Sequence, residues 1–230
     1  MKKKILVVVT STPKYPQMNR PTGLWLGEAV HFIEKVEAAG YAVDLVSTAG
    51  GYTPIDPASL GEMALPIDWE YYQNHAFMNR LGTTLRPDQV KPDDYAALYF
   101  AGGHGVIWDF PDNEALQRIS SRIYEAGGIV SSVCHGAVGL LNIKLSSGKN
   151  LIDGKQLTGF SNEEERLAKL DEHVPFLTED ELKKRGAVYH KADKPFTSFA
   201  VVDERLVTGQ NPQSGAAVAE KVLAIMGPAK

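Results

Sequence analysis

The chain has 230 residues, of which 43% are hydrophobic and 23% are charged, and its formal net charge is −4 at pH 7. This composition is ordinary for a soluble globular protein, and the negative charge gives no reason to expect nucleic acid or an anionic membrane as a partner. The lone cysteine excludes an intrachain disulfide and suits a reducing compartment. We therefore expect a single domain over residues 1–230 and a cytoplasmic location.

The first apolar run covers only residues 5–9, which is too short for the core of a signal peptide. No stretch approaches the roughly 20 apolar residues that a membrane span needs. We expect no membrane as a partner.

The first three predicted elements form a βαβ unit. Residues 4–10 are a β-branched run typical of a buried parallel strand, and a proline-bearing loop follows over residues 11–21. Apolar residues at helical spacing predict a helix over residues 26–39, which ends at Gly40, and residues 41–47 predict the next strand. This order predicts a mostly parallel α/β sheet with helices on both faces.

The segment over residues 49–92 is rich in Gly and Pro, and we predict one helix within it, around residues 69–80. Its aromatic residues either line a cleft or pack over the sheet, and packing in the core or in a dimer is the expected role: Trp69, Tyr71, Tyr72 and Phe77.

The second half of the chain continues the alternation of strands and helices. A strand over residues 95–101 ends in Gly102-Gly103-His104-Gly105, a helix covers 113–126, and the strand 129–133 leads to Cys134. Further on we predict a short strand (156–158), two helices (162–170 and 179–185), a hairpin (199–202 with 206–208) and a closing helix (214–226). Glycines and polar residues gather where strands end, which is where open α/β sheets bind ligands.

Cys134 lies at the corner between its strand and a helix-like stretch over residues 137–141. A thiol on such a turn resembles the nucleophile elbow of hydrolases, and a following helix amino terminus favours the thiolate. Free cysteines are more often small buried hydrophobes, but the adjacent His135 and Gly136 favour a reactive role here.

A cysteine nucleophile needs a base and hydrogen-bond donors for the developing oxyanion. His135 is the adjacent candidate base, although it could also be a turn residue that faces solvent. The amides of Gly102 and Gly103, together with that of His135 or Gly136, are candidates for the oxyanion hole; a plain turn is the alternative.

Acidic candidates are less certain from the residues alone. Glu28 lies near the start of the first helix, where an acid can either serve the site or simply complement the helix dipole. Glu163, Glu164 and Glu165 have the pattern of a solvated first helical turn. The other histidines (His31, His75, His104, His173 and His190) show no spacing that defines a metal site, so we expect no metal.

Five motifs occur together in the order of the ThiJ/PfpI superfamily, which the chain resembles nearly from end to end: Gly23-x4-Glu28, Ala101-Gly-Gly-His-Gly105, Val133-Cys-His-Gly136, Leu157-Thr-Gly-Phe-Ser161…Glu165 and Leu206-Val-Thr-Gly-Gln-Asn-Pro212. Within it the chain is similar to the branch that holds heat-shock chaperone-type proteins and glutathione-independent glyoxalase III. The resemblance implies a flavodoxin-like sandwich related to class I glutamine amidotransferase domains, and a homodimer.

The resemblance also implies residue roles. Cys134 becomes the nucleophile, His135 its partner, Glu28 the acid that approaches the thiol, and Glu165 the acid that orients the histidine. Gly103 matches the glycine whose amide faces the nucleophile. For Glu163 and Glu164 we still expect a solvated helical turn.

The implied reaction converts methylglyoxal or another 2-oxoaldehyde to the 2-hydroxy acid (D-lactate from methylglyoxal) through the Cys134 thiolate, without glutathione, metal or other cofactor. Either Glu28 or His135 would move the proton between the two carbons. A stress chaperone or deglycase, a redox sensor, and a cysteine-dependent amidase or peptidase are the alternatives.

Overall fold

The computed structural model describes residues 4–227. Its main sheet has six strands in the order β2-β1-β3-β4-β8-β7, and a two-stranded sheet pairs β5 with β6. The strands are β1 (Lys4–Val9), β2 (Val43–Ser47), β3 (Tyr95–Phe100), β4 (Ile129–Val133), β5 (Gln156–Leu157), β6 (Val188–Tyr189), β7 (Ala200–Asp203) and β8 (Leu206–Gly209). All neighbours in the main sheet are parallel except β7 and β8, which form the predicted hairpin. The mostly parallel α/β fold is thus confirmed.

Helices cover both faces of the sheet. They are α1 (Leu26–Ala38), α2 (Pro66–Gln73), α3 (His75–Gly82), α4 (Val106–Asp109), α5 (Glu114–Glu125), α6 (Asn162–Leu167), α7 (Thr178–Lys184) and α8 (Gly215–Met226). Short 3₁₀ segments add Pro57–Leu60, Pro87–Gln89, Pro92–Asp94, Cys134–Leu140 and Pro212–Ser214. Among the described residues, no helix is both long enough and apolar enough to cross a membrane.

The core has two layers because successive side chains of a strand point to opposite faces. In β1, Ile5 and Val7 pack with α1 and α8, whereas Leu6 and Val8 pack with α5 and the 3₁₀ segment that begins at Cys134. A strand buried on both faces has a continuous apolar sequence, which is why residues 4–10 were recognisable as one.

The helix predicted around residues 69–80 is wrong in its extent. The structure has two helices, α2 and α3, and Asn74 separates them with an extended backbone while its side-chain oxygen accepts the N–H groups of Ala76 and Phe77. An asparagine satisfies the first N–H groups of a new helix better than it continues an old one.

The aromatic residues of this segment differ in their burial. Phe77 is buried in the α1 layer and Tyr71 packs against that layer, whereas Trp69 and Tyr72 are each 38% exposed. Packing in the core is therefore confirmed for Tyr71 and Phe77, and packing in a dimer stays a prediction for Trp69 and Tyr72.

Candidate active site

Cys134 stands at a strained corner where β4 ends. Its φ is +56°, in the left-handed region that non-glycine residues seldom occupy, and a 3₁₀ segment starts at this same residue. Such backbone costs about 1–2 kcal/mol and is found at functional sites. The thiol is buried, with 3% exposure, at the carboxyl edge of the parallel sheet. The predicted strand, sharp turn and thiol are therefore present.

His135 connects the thiol to Glu165. Its Nδ1 lies 3.4 Å from Sγ of Cys134, and its Nε2 lies 2.7 Å from Oε2 of Glu165. Burial alone would raise the pKa of Glu165, but His135 and His104 hold it well below its usual range. An ionised carboxylate only accepts hydrogen bonds, so Nε2 of His135 carries a proton and Nδ1 presents its lone pair to the thiol.

The imidazole of His135 is also set for the role of a base. Burial is the main cause that lowers its pKa, and the nearby His104 lowers it further. The ring is therefore neutral near pH 7, and a neutral ring can accept a proton from Cys134. Sequence adjacency of the two residues did not guarantee this contact, which depends on the backbone of the corner.

Glu28 approaches the thiol from α1. Its side chain is fully buried, and its Oε2 accepts the N–H of Gly102 at 2.7 Å. The Cys134 thiol lies near enough to this carboxyl group to affect its pKa, and Oε1 has no hydrogen-bond partner among the described residues. Glu28 is therefore not a simple helix-cap residue, although it lies in the first turn of α1.

Burial raises the pKa of both the Cys134 thiol and the Glu28 carboxyl group. Burial raises the pKa of Glu28 to about 8, although the contacts with Cys134 and Gly102 partly oppose this rise. Burial and the charge of Glu28 likewise raise the pKa of the Cys134 thiol well above its usual value. Two adjacent buried anions repel each other, so the pair holds at least one proton near neutral pH. The expectation that this corner favours the thiolate is therefore wrong: the thiol is protonated near neutral pH, and a thiolate would need proton transfer to a neighbour.

The three glycines crowd this corner in different ways. Gly102 gives its amide to Glu28, so that amide is already engaged and is not free for the oxyanion hole in which we expected it. Gly103 has a φ of +104°, and a Cβ there would lie 2.3 Å from the carbonyl oxygen of Gly23. A Cβ on Gly136 would lie 2.3 Å from the carbonyl oxygen of Phe100. The amides of Gly103 and Gly136 stay candidates for the oxyanion hole.

His104 is the polar neighbour that the sequence reasoning missed. Its Nε2 lies 2.7 Å from Oε1 of Glu165, so one carboxylate receives both imidazoles. We treated His104 only as a possible metal ligand without partners of suitable spacing. Its position directly after the glycines at the end of β3 was the available signal.

His104, His135 and Glu165 also form a group that could hold a metal ion, because their ligand atoms lie within 4.8 Å of one another. Both carboxylate oxygens and both Nε2 atoms are already hydrogen-bonded to each other. A metal would have to displace two protons from satisfied contacts. The expectation of no metal stays a prediction.

The expected solvated turn of α6 is correct for Glu163 but wrong for Glu164. Glu163 is exposed, whereas Glu164 is fully buried and its Oε2 accepts hydrogen bonds from the N–H and hydroxyl of Ser161. Its Oε1 accepts from Phe196 N–H and Asn211 Nδ2. Glu164 therefore ties α6 to the segment before β7 and to the end of β8, while Glu165 on the same turn faces the histidines.

Replacement of Gly102 by Ala tests this packing. The added Cβ would lie 2.5 Å from Oε2 of Glu28 and 2.8 Å from the carbonyl oxygen of Val133. We expect Gly102→Ala to displace Glu28 and to destabilise the fold by about 1–3 kcal/mol, measured by urea unfolding. Gly82→Ala is the matched control, because nothing lies within 4 Å of a Cβ at that position. Equal stability of the two variants would contradict the close approach.

The parallel α/β sheet and its buried Cys-His-Glu corner define a flavodoxin-like protein with a cysteine at the strained turn after a central strand. The model of the DJ-1/PfpI family matches residues 26–225, and the chain belongs to this family.

Similar proteins cover nearly the whole chain. The glutathione-independent glyoxalase HSP31 of Saccharomyces cerevisiae is 33% identical over 92% of this chain and 93% of its own length. The crystal structure of glyoxalase III from Candida albicans has a TM-score of 0.88 and 32% identity, and the match covers 97% of each chain. The Rapid Encystment Protein 24 kDa of Francisella tularensis has a TM-score of 0.93 and 35% identity, with 97% of this chain and 99% of that chain covered.

Proposed function

We propose that this protein is a glutathione-independent glyoxalase of the glyoxalase III type, which converts methylglyoxal or a related 2-oxoaldehyde to the 2-hydroxy acid. The observation that carries the proposal is the position of one thiol in contact with His135 and beside the buried carboxyl group of Glu28, in a chain similar to proteins named glyoxalases.

The first step forms a carbon–sulfur bond. The proton of the Cys134 thiol passes to Nδ1 of His135 or to Glu28, and the sulfur attacks the aldehyde carbon of methylglyoxal. The carbonyl electron pair moves to oxygen, which takes up a proton and gives a hemithioacetal. Amides of Gly103 and Gly136 are the candidate donors that stabilise the developing negative oxygen.

The second step moves a proton between adjacent carbons. Glu28 or His135 removes the hydrogen from the carbon that bears sulfur, and the electron pair forms an enediolate. Return of the proton to the neighbouring carbon gives a thioester of lactate on Cys134. Water then cleaves the thioester, which releases lactate and restores the thiol, so that one methylglyoxal and one water yield one lactate.

The test is the formation of lactate from methylglyoxal by purified protein without glutathione, with the enantiomer identified by D- and L-specific lactate dehydrogenases. We expect D-lactate at a rate proportional to protein concentration and unchanged by a metal chelator. The absence of lactate, together with suppression of the aggregation of a denatured client protein, would favour the chaperone alternative.

We also infer that the chain is one domain, acts on a small aldehyde in the cytoplasm and forms a homodimer. The lone free cysteine suits a reducing compartment, and exposed apolar side chains of α2 and the segment before it are available to a second copy. Light scattering on a sizing column would give twice the mass of 25.1 kDa for a dimer.

A further inference from the structure

One carboxylate serves two buried histidines. Oε2 of Glu165 accepts a hydrogen bond from His135 and Oε1 accepts one from His104, both at 2.7 Å. All three side chains are nearly inaccessible, and the two imidazole centroids are 4.1 Å apart. The reaction described above uses His135 and leaves His104 without a task.

Hydrogen bonds to both oxygens fix the orientation of a carboxylate, whereas a single hydrogen bond leaves it free to rotate. With both oxygens bonded, the plane of Glu165 is fixed, and the direction of its bond to His135 is fixed with it. Removal of His104 would leave Oε1 buried without this donor, which is unfavourable for an ionised group. The carboxylate would then rotate or take up a proton, and a protonated Glu165 could donate to His135.

A reversal of the hydrogen bond between Glu165 and His135 would change which ring nitrogen of His135 carries the proton, and so what faces the thiol. If Glu165 donated to Nε2 of His135, the ring proton would move to Nδ1, which faces Cys134. Nδ1 could then no longer accept the thiol proton. A stable Nε2–H form of His135 therefore depends on the ionised state of Glu165.

Several charged or titratable groups act on the ring of His135. Glu164 and Glu165 of α6 favour its protonated form, whereas burial and His104 from the loop after β3 oppose it. On the other side of the ring, Cys134 separates it from Glu28 of α1. Because burial and His104 prevail, the pKa of His135 is lowered.

We propose that His104 is a positioning residue: through Glu165 it holds His135 in the Nε2–H tautomer, with Nδ1 free to accept the proton of Cys134. The inference depends on the proposed role of Cys134 as the nucleophile, but not on which aldehyde is the substrate.

Three substitutions separate the hydrogen bond from the bulk of the ring. His104→Gln keeps an N–H donor at about the reach of Nε2, His104→Asn has a donor that is too short, and His104→Leu has none. His173→Leu is the control, because His173 is exposed. If His104→Leu fails to fold, the comparison of Gln with Asn still decides, because both are polar amides.

The direct readout is the ¹⁵N chemical shift of the His135 ring nitrogens, which distinguishes the two tautomers and gives the pKa on titration. We expect the Nε2–H form in the wild type, His104→Gln and His173→Leu. In His104→Asn and His104→Leu we expect a mixture of the Nε2–H and Nδ1–H tautomers of His135.

Methylglyoxal kinetics give the second readout. For His104→Asn and His104→Leu, kcat should fall about tenfold to a hundredfold with KM changed less than about twofold, and His104→Gln should recover most of the loss.

A pure Nε2–H tautomer of His135 in His104→Asn and His104→Leu would overturn the proposal. Equal loss of kcat in the Gln and Asn variants would also overturn it. If the wild type does not convert methylglyoxal, the glyoxalase proposal fails, but the NMR comparison still decides the role of His104.

Discussion

Cys134→Ser is expected to lower the kcat for methylglyoxal by about a thousandfold or more. A serine hydroxyl has nearly the shape of the thiol, but it ionises far less readily and is a much weaker nucleophile in this setting. Lactate formation at saturating methylglyoxal, measured under the same conditions as for the wild type, checks the expectation.

The backbone at position 134 is strained, with a φ of +56°, so a replacement of different shape could disturb it. Serine is informative because its side chain has nearly the shape of cysteine. We expect Cys134→Ser to keep the thermal midpoint of the wild type within a few degrees, so that lost activity reports chemistry. Cys134→Ala serves as a second variant that lacks the oxygen. Retention of more than about a tenth of the wild-type kcat by either variant would exclude the covalent route.

Glu28→Gln is expected to lower kcat by about a hundredfold or more, which is the usual contribution of a positioned proton-transfer group. The amide can still accept the N–H of Gly102, so the local contacts are retained while the proton-transfer function is lost. Glu34→Gln is the matched control, because Glu34 lies on the same helix and is only half-buried. Equal kcat in the two variants would show that Glu28 transfers no proton in the slow step.

The same substitution should change the pH dependence of folding. The pKa of Glu28 is about 8 in the folded protein and near its ordinary value of 4.5 in the unfolded chain. Between these two pH values Glu28 is ionised in the unfolded chain but still protonated in the folded protein. The free energy of unfolding of the wild type therefore falls as the pH rises from 4.5 to 8. We expect Glu28→Gln to resemble the wild type near pH 5 and to exceed it near pH 8, by on the order of a few kcal/mol.

Urea unfolding of both proteins at the two pH values measures this difference. The reactivity of the thiol provides an independent check, since the charge of Glu28 is one cause of the raised pKa of Cys134. In Glu28→Gln the midpoint of Cys134 alkylation by iodoacetamide should move to lower pH. A midpoint that stays in place would mean that the two groups do not share a proton.

The features of this fold that depend on local pattern could be predicted from the sequence. The continuous apolar runs at β1, β3 and β4 defined the parallel sheet, because a strand covered on both faces needs no polar alternation. The elbow followed from a β-branched strand that ends in Cys134-His135-Gly136. The convergence of Glu28 and Glu165 on that corner was available only through resemblance, since each residue comes from a distant helix.

The missed features have specific physical reasons. The burial of Glu164 depends on where α6 packs, although the spacing of Ser161 and Glu164 already had the form of a capping box. The break at Asn74 divides one apolar pattern between two helices. The contact of His104 with Glu165 depends on the turn at Gly103 and on the position of α6, and neither is encoded in a short motif.

The nearly covered, protonated state of Cys134 limits damage between turnovers. Peroxides attack thiolates much faster than thiols, and oxidation beyond the sulfenic acid is largely irreversible. A sulfur that becomes anionic only when a neighbour takes its proton offers little of the vulnerable form to dissolved oxidants. We therefore expect the burial that makes this thiol costly to ionise also to protect it from oxidation while the site is empty.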